Sequence, residues 1–386
     1  MPENNLYYIY IDSKIEGTID QLLSYFQANV FHSDDCICIY FKFYKEIEKY
    51  IIKKLNHTSI RYQFIRKNSD FKFQKNKVVF YLFNAQSNCR VVAHRELTHI
   101  FVTHGESHKL ASIKPIIRIY DFVITSGRVG IERFLKAGVF NRCNIDEEKR
   151  VIAMGNTFIG QHQYEFNDQA RSLLYAPTWE GGVPAENYSS IGQRAQLILS
   201  DLIKKHQITT LYIQLHPNLG HRDQRYLKHL KALLKKIKAL RIQIVILKSN
   251  LRFKDRWTFS GYPLLDVSAP KKKAITGAVV DISAMEMQLL SEKIPTLVLY
   301  RAAQLEDLVI PERVKYLYSK EQALDHDGAV LDLNIRATQI AQHQDYLIGY
   351  HEPNLEQMSF QARIQWLCQY AMQQNKQLQQ KYLDAF

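Results

Sequence analysis

Along the first 150 residues, short runs of consecutive apolar residues alternate with stretches in which apolar residues recur every three to four positions. Short apolar runs predict buried strands, and the periodic stretches predict helices with one apolar face. The predicted strands lie at 6–11, 36–43, 59–65, 78–83, 100–103 and 122–125, and the predicted helices at 19–30, 45–55 and 128–137. Strands that alternate with helices indicate parallel βαβ units.

A second series of the same kind begins near residue 172. Its predicted strands lie at 172–176, 211–215, 242–247, 277–280 and 296–300, and its predicted helices at 189–206, 222–240 and 284–292. The polar stretch 160–170 between the two series is interpreted as a linker. The expected fold class is therefore α/β, with two doubly wound, Rossmann-like domains that face each other across an interdomain cleft. We expect the domains at 1–160 and 171–350, and a C-terminal helix within 354–386 that packs on them.

Length and composition agree with two domains of ordinary size. The chain has 386 residues, of which 46 % are hydrophobic, and no apolar run approaches the roughly 20 residues of a membrane-spanning helix. The first residues lack the basic region and the long apolar core of an export signal. The five cysteines have no zinc-ribbon spacing, and Cys36 and Cys38, which alternate with Ile37 and Ile39, are interpreted as small buried hydrophobes. These features predict a cytoplasmic protein.

The charge of the chain narrows the class of its partners. There are 51 Lys and Arg residues against 38 Asp and Glu residues, which gives a formal net charge of +13. Such an excess favours nucleic acid, an anionic membrane surface or a phosphorylated substrate, without choosing among them. Basic residues are concentrated at 228–241 and at 271–273.

Four of the predicted strands end in residues that suit catalysis or phosphate binding. In an open parallel sheet, ligands bind just beyond the carboxyl ends of the strands. The four strand ends are, in chain order, Thr103-His104-Gly105, Tyr175-Ala176-Pro177-Thr178-Trp179, His216-Pro217 and Asp281-Ile282-Ser283.

The two histidines of these motifs have different expected roles. His104 is suited to accept a proton from an attacking hydroxyl, and Gly105 lets a substrate approach the backbone closely. His216 is suited to donate a hydrogen bond to a phosphate oxygen. Taken alone, a histidine at a strand end is more often structural than catalytic. Lys109, shortly after the first motif, adds positive charge.

Two helix starts are candidate phosphate sites. Ser126 and Gly127 open the predicted helix 128–137, where free backbone N–H groups suit an oxyanion, although the residues taken alone favour a plain N-cap by Ser126. Capping also explains Ser283 at the start of the helix 284–292. It does not explain Asp281, which stands inside an apolar strand.

The sequence holds no Asp-X-Asp element at a strand end, no cluster with metal-ligand spacing, no Gly-rich dinucleotide fingerprint and no phosphate-loop motif. We therefore expect histidines, lysines and helix ends to compensate phosphate charge, with no metal and no other cofactor.

The order and spacing of the four motifs resemble those of the CDP-glycerol glycerophosphotransferase family, over residues 98 to 300. The family builds wall teichoic acids and related capsule polymers. The resemblance implies the GT-B arrangement, in which an N-terminal acceptor domain and a C-terminal donor domain are both Rossmann-like. It also implies CDP-glycerol as the donor, attack of an acceptor hydroxyl on its β-phosphate, release of CMP and no need for a metal.

The resemblance also implies the site residues. His104 corresponds to the base that activates the acceptor, and His216 corresponds to the contact to the donor pyrophosphate. The remaining donor-binding residues are Thr178, Trp179, Asp281 and Ser283. Weaker contacts to phosphate or acceptor are expected from Gly105, Ser126, Gly127 and Lys109.

The implied partners are CDP-glycerol and a saccharide or polyol-phosphate acceptor that is lipid-linked. With the basic charge, this predicts a protein on the inner face of the plasma membrane, held peripherally by its anionic surface. No nucleic-acid partner is expected.

The chain departs from the family pattern at several positions. Glu106 follows Gly105 where the family often has Thr, and Gln214 stands where an Arg usually precedes the second histidine, so that a cation near the phosphates is missing. Gln288 replaces an acidic residue of the helix that follows Ser283. These changes leave open a glycosyltransferase of the same fold that uses a nucleotide sugar. A basic nucleic-acid-binding protein is a second alternative, but no recognition motif for nucleic acid is present.

Overall fold

The computed structural model describes residues 5–103, 106–160, 162–247, 256–265 and 272–383. The chain divides into two compact units, neither of which is continuous in sequence. The first unit comprises Met1–Glu106, Ala111–Gln161 and Ile348–Phe386, and the second comprises Ser107–Leu110 and His162–Leu347.

The first unit contains a seven-stranded sheet in which all neighbouring strands are parallel. Its strand order is β3-β2-β1-β4-β5-β6-β7, the doubly wound order with the direction of winding reversed between β1 and β4. The strands are β1 (Tyr7–Ile11), β2 (Cys36–Lys42), β3 (Tyr62–Ile65), β4 (Val78–Tyr81), β5 (Thr98–Phe101), β6 (Phe122–Thr125) and β7 (Val151–Ala153). The helices are α1 (Glu16–Gln27), α2 (Lys45–Leu55), α3 (Cys89–Val92) and α4 (Arg128–Lys136).

This sheet is buried on both faces, as a parallel sheet must be. All five residues of β1 are buried. Tyr7 and Ile9 belong to one core cluster, whereas Tyr8 and Tyr10 belong to another, because successive side chains of a strand point to opposite faces. The apolar runs of the sequence therefore predicted β1 to β6, whereas β7, which is three residues long, was not predicted.

The second unit contains a six-stranded parallel sheet with the order β12-β11-β10-β9-β14-β15. Winding reverses here between β9 and β14. The strands of this sheet are β9 (Ser172–Ala176), β10 (Thr210–Ile213), β11 (Gln243–Leu247), β12 (Leu264–Leu265), β14 (Gly277–Asp281) and β15 (Thr296–Leu299). The helices are α5 (Gln193–Lys205), α6 (Arg225–Lys238), α7 (Ala284–Ser291), α8 (Leu333–Gln342) and α9 (Gln344–Leu347).

The stretch predicted as a linker, 160–170, contains a strand. β8 (Tyr164–Phe166) pairs in parallel with β13 (Lys273–Ile275) in a separate two-stranded sheet of the second unit. Tyr164 is fully buried there. Interpreting the whole stretch as a linker was therefore wrong, because the alternation of Tyr164, Glu165 and Phe166 is too short to predict a strand.

The C-terminal helix α10 (Phe360–Leu383) belongs to the first unit. Its buried residues Ile364, Leu367, Cys368 and Ala371 lie in the same core cluster as Tyr7 and Ile9 of β1. The predicted helix therefore exists, and its apolar face completes the core of one unit.

The α/β fold class with two parallel, doubly wound sheets is confirmed. The facing arrangement with a cleft stays a prediction. Within the described ranges, no helix combines the length and the apolar character that crossing a membrane requires.

Candidate functional site

The second unit places two of the four sequence motifs side by side. β9 and β14 are neighbours in the sheet, and the winding of the sheet reverses between them. Ligands of open α/β sheets bind at such a switch point, beyond the carboxyl ends of the strands. Thr178 follows β9, and Ser283 follows β14, whose last residue is Asp281.

Asp281 ties the two strand ends together. Its side chain is fully buried, and its Oδ2 accepts hydrogen bonds from the backbone N–H groups of Thr178 (2.7 Å) and Ser190 (3.1 Å). Burial raises the pKa of Asp281 to about 7, although hydrogen bonds from Ser190 and Thr178 oppose the rise. This strand-end carboxyl thus titrates near neutral pH. Its role is to fix two loops at the switch point, which the helix-capping pattern alone did not explain.

Three buried oxygens at this switch point make no hydrogen bond to the described part of the chain: Thr178 Oγ1, Ser283 Oγ and Asp281 Oδ1. Ser283 is the N-cap residue of α7, but its side chain makes no capping hydrogen bond. Capping therefore does not account for this hydroxyl. It lies at the N-terminus of an eight-residue helix, where backbone N–H groups favour an anion.

His216 follows β10 and stacks on Trp179, with ring centroids 5.8 Å apart and an interplanar angle of 15°. Its Nδ1 accepts the backbone N–H of Asn218 at 3.1 Å, which places the proton of the neutral ring on Nε2. Burial and the nearby charge of Lys109 lower the pKa of His216 to about 4. At neutral pH the ring is therefore an uncharged hydrogen-bond donor through Nε2.

Glu180 shapes the loop that follows His216, a role that the sequence did not predict. The carboxylate is buried and accepts backbone N–H groups of Gly220 (3.0 Å), Arg222 (2.9 Å) and Asp223 (2.9 Å). Burial alone would raise the pKa of Glu180, but these hydrogen bonds outweigh it and lower the pKa. An acid directly after the Tyr-Ala-Pro-Thr-Trp motif was the only signal in the sequence.

Lys109 brings a cation into the second unit. It belongs to the short segment Ser107–Leu110, which clusters with this unit although the residues on both sides belong to the first. Its Nζ lies 5.0 Å from the ring centroid of Tyr188. Burial lowers the pKa of Lys109, and the charges of Asp281, Glu186 and Glu286 oppose this shift.

Gln214 precedes the histidine of the third motif, His216, by two residues. Gln214, which stands where the family has an arginine, donates to Met285 Sδ at 3.3 Å. Lys109, from a distant part of the chain, is close enough for its positive charge to lower the pKa of both His216 and Asp281. The neighbouring His108 is fully buried, with Nε2 4.0 Å from Glu286 Oε1. Glu286, and not position 288, is the buried acid of α7.

The other predicted phosphate site lies in the first unit and is filled by the protein itself. The backbone N–H of Ser126 donates to the carboxylate of Glu106, and Gly127 is the N-cap residue of α4. Glu106 thus occupies the place that the sequence predicted for a substrate oxyanion. His104 and Gly105 lie outside the described residues, so that their roles, and the approach of His104 to His216, stay predictions.

Among the described residues, no group of three or more His, Cys, Asp or Glu side chains is arranged to hold a metal ion.

The sequence matches no protein-family model and no curated protein significantly. Several solved structures are similar over most of the chain. UDP-GlcNAc 2-epimerase from Neisseria meningitidis, bound to UDP-GlcNAc, has a TM-score of 0.45 at 10 % identity, covering 94 % of this chain and 99 % of that chain. The wall teichoic acid polymerase TagF, soaked with CDPG, has a TM-score of 0.44 at 11 % identity, covering 98 % and 90 %. MurG from Acinetobacter baumannii has a TM-score of 0.43 at 11 % identity, covering 95 % and 99 %.

Proposed function

We propose that the protein is a glycerophosphotransferase that moves glycerol phosphate from CDP-glycerol to a hydroxyl of a saccharide or polyol-phosphate acceptor, in capsule or teichoic acid biosynthesis. One observation carries the proposal: the switch point of the second unit gathers the motif residues that the family resemblance assigns to the donor. Thr178, Asp281 and Ser283 meet there at the carboxyl ends of β9 and β14.

The donor pyrophosphate fits the chemistry of these groups. The hydroxyls of Thr178 and Ser283 and the N-terminus of α7 offer neutral hydrogen-bond donors to phosphate oxygens. His216 adds its Nε2–H, and Lys109 adds the compensating charge that the position of Gln214 lacks. Donors fixed by the fold need little reorganisation when negative charge develops on the phosphates.

The proposed reaction is an in-line displacement at the β-phosphorus. The acceptor oxygen forms a bond to that phosphorus while the bond to the oxygen bridging to CMP breaks, and CMP leaves with the electron pair. The acceptor proton passes to His104. Positioning and electrostatic stabilisation supply most of the rate in such phosphoryl transfers. Lys109 and the N-terminus of α7 are proposed to balance the phosphate charge, and His216 is proposed to add a neutral hydrogen bond, with no step on a metal.

An anionic membrane is the proposed location of a lipid-linked acceptor, with the protein on its cytoplasmic face. The helix α6 supports this partner, because it carries six Lys and Arg residues and no acidic residue. Its apolar residues Leu230, Leu233, Leu234 and Ile237 are buried in the core of the second unit. The exposed lysines Lys228, Lys231, Lys235 and Lys238 form the opposite face, which we call the basic face of α6.

The proposal is tested by incubating the protein with CDP-glycerol and candidate lipid-linked or polyol-phosphate primers, with detection of CMP and mass spectrometry of the product. The expected product is heavier than the primer by one or more glycerol-phosphate units. UDP- and CMP-sugars are assayed in parallel. Transfer of a sugar with no release of CMP from CDP-glycerol would support the glycosyltransferase alternative, which the contact of Gln214 with Met285 in place of an arginine keeps open.

A further inference from the structure

The buried side chain of His108 connects the segment Ser107–Leu110 to the helix α7. Its imidazole is fully buried, with Nε2 4.0 Å from Oε1 of Glu286, and its ring meets the ring of Tyr318 edge-on, with centroids 5.8 Å apart. The residues on both sides of this segment in the chain belong to the first unit. The place of the segment in the second unit therefore depends on contacts such as these, with residues far along the chain.

Glu286 is a fixed partner for this contact. It is fully buried in the first turn of α7, and its two carboxylate oxygens lie 3.3 Å and 3.1 Å from the donating hydroxyl of Tyr318. Burial lowers the pKa of the nearby Arg336 to about 10, and the charges of Tyr316 and Glu286 oppose this shift. A buried carboxylate depends on such partners, because an unpaired buried charge is strongly disfavoured, and its position is set by them.

Lys109 directly follows His108, and its charge acts on the switch point of the second unit. Burial and then the charge of Lys109 lower the pKa of His216, and the same charge opposes the rise that burial causes in the pKa of Asp281. A lysine carries its charge on a flexible four-carbon stem, so that its own side chain does not fix where the ammonium group lies. The buried neighbour His108 gives the backbone beside it a fixed point.

We propose that His108 and Glu286 are positioning residues for Lys109. Their buried contact holds the backbone beside the lysine on α7 and so brings its ammonium group to the switch point of the second unit. The inference rests on the proposed function where it gives Lys109 the compensating charge for the donor pyrophosphate. The same helix then supplies the N-terminus beside Ser283 and the attachment of the cation.

The test removes the contact and keeps the aromatic packing. His108→Phe retains a ring against Tyr318 and leaves Glu286 with its other partners, so that no new buried charge is left unpaired. The matched control is His162→Phe. His162 also binds α7, with Nε2 2.9 Å from the backbone oxygen of Gln288, but the residue that follows it is not a lysine.

A second variant removes the same contact from its other end. Glu286→Gln keeps an acceptor for the hydroxyl of Tyr318 and is measured beside His108→Phe, so that the test does not depend on the folding of one variant. Thermal unfolding of the variants and of the control confirms that they fold.

The first readout is the pKa of His216, followed by NMR of histidine-labelled protein, with its signal assigned through the loss in His216→Gln. Lys109→Met sets the rise expected when the charge is lost altogether. His108→Phe and Glu286→Gln are expected to raise the pKa of His216 by at least half as much, and the control to leave it unchanged. Removing the negative charge of Glu286 would by itself lower this pKa, so that a rise reports displacement of the lysine.

The second readout is the Kd of CDP-glycerol in isothermal titration calorimetry. His108→Phe is expected to weaken binding about tenfold, as the loss of a charge-assisted hydrogen bond does. Adding Lys109→Met to His108→Phe is expected to weaken binding by less than about twofold more, because residues that act as one unit are not additive.

The outcomes separate this proposal from the proposed function. A His216 pKa that does not change in the folded variants, or in Lys109→Met, overturns the positioning role. Losses of His108→Phe and Lys109→Met that add in full overturn it as well. If the unaltered protein does not bind CDP-glycerol, the proposed function fails, and the pKa of His216 still decides whether His108 and Glu286 position the lysine.

Discussion

The chemistry of His216 follows from one backbone hydrogen bond and from burial. With Nδ1 accepting from Asn218 and the pKa near 4, the ring is neutral and donates through Nε2 over the whole physiological pH range. A residue that only donates a hydrogen bond to the phosphates can be replaced by another donor of similar reach, whereas an acid or base cannot.

We therefore expect His216→Gln to keep kcat within about tenfold of the unaltered protein, because its amide still offers an N–H, whereas His216→Ala loses about 100-fold or more, as is typical when a fixed donor to a developing anion is removed. Initial rates of CMP release measure both. Equal losses in the two variants would contradict the donor role of His216.

The titration of Asp281 predicts that binding of the proposed donor depends on pH. Because burial raises its pKa to about 7, the carboxyl is mostly neutral at pH 6 and mostly ionised at pH 8, while the pyrophosphate diester of CDP-glycerol does not titrate in this range. An ionised carboxylate beside the phosphates repels them. The donor Kd is therefore expected to rise about tenfold from pH 6 to pH 8, equivalent to about 1.4 kcal/mol.

Isothermal titration calorimetry at pH 6, 7 and 8 measures this dependence. Asp281→Asn, which stays neutral and still accepts both backbone N–H groups, is the control and is expected to bind equally at all three pH values. Tighter binding by the unaltered protein at pH 8 would contradict the proximity of Asp281 to the phosphates.

Lys109 is expected to contribute the charge that holds the donor. Replacing it by Met should weaken binding of CDP-glycerol by about 10- to 100-fold, the loss of one charge-assisted hydrogen bond of about 1.5–3 kcal/mol. Lys114→Met, at an exposed lysine of the first unit, is the matched control and should leave the Kd unchanged. Equal affinities of the two variants in calorimetry would remove Lys109 from the site.

At the scale of single residues, the sequence identified candidates better than it identified their surroundings. Strand-end positions predicted Thr178, Asp281 and Ser283 as binding residues, and the structure places them at the carboxyl ends of two adjacent strands. Nothing local predicted that Lys109 joins the second unit or that Glu106 fills the start of α4, since both depend on contacts between residues far apart in the chain.

At the scale of elements, the bounds of long buried strands and amphipathic helices were predictable. β9 at Ser172–Ala176 and β6 at Phe122–Thr125 agree with the prediction residue by residue. β8 and β13 have three residues each and pair with one another, and strands this short have no periodicity from which to predict them. β12, which is two residues long, is also too short to be predicted from periodicity.

The basic face of α6 is expected to bind anionic membranes. Charge reversal at Lys228 and Lys235 should reduce binding to vesicles that contain phosphatidylglycerol, because each lysine near an anionic surface contributes about 1 kcal/mol. Lys49→Glu with Lys53→Glu changes the charge equally on α2, a helix that also carries Glu46 and Glu48, and should bind as the unaltered protein does.

Co-sedimentation with anionic and with neutral phosphatidylcholine vesicles, at low and high salt, measures this binding. Equal losses in both charge-reversal variants would show that net charge, and not the basic face of α6, binds the membrane. Binding to duplex or single-stranded nucleic acid in preference to anionic vesicles would contradict the membrane as partner.

At the scale of the whole molecule, the alternation of strands and helices was enough to predict two parallel, doubly wound sheets. The division of the chain into the two units was harder to predict from the sequence. Residues 107–110 belong to the second unit and residues 348–386 to the first, so that the chain passes between the units more than once. Sequence periodicity carries no information about such crossings, which depend on the final packing of both units.

An experimental structure of the protein with CDP-glycerol tests the proposed donor site most directly. The pyrophosphate is expected at the switch point of the second unit, within hydrogen-bond distance of His216 Nε2, Ser283 Oγ and the first N–H groups of α7. A pyrophosphate bound elsewhere, for example at the start of α4 with Glu106 displaced, would contradict it.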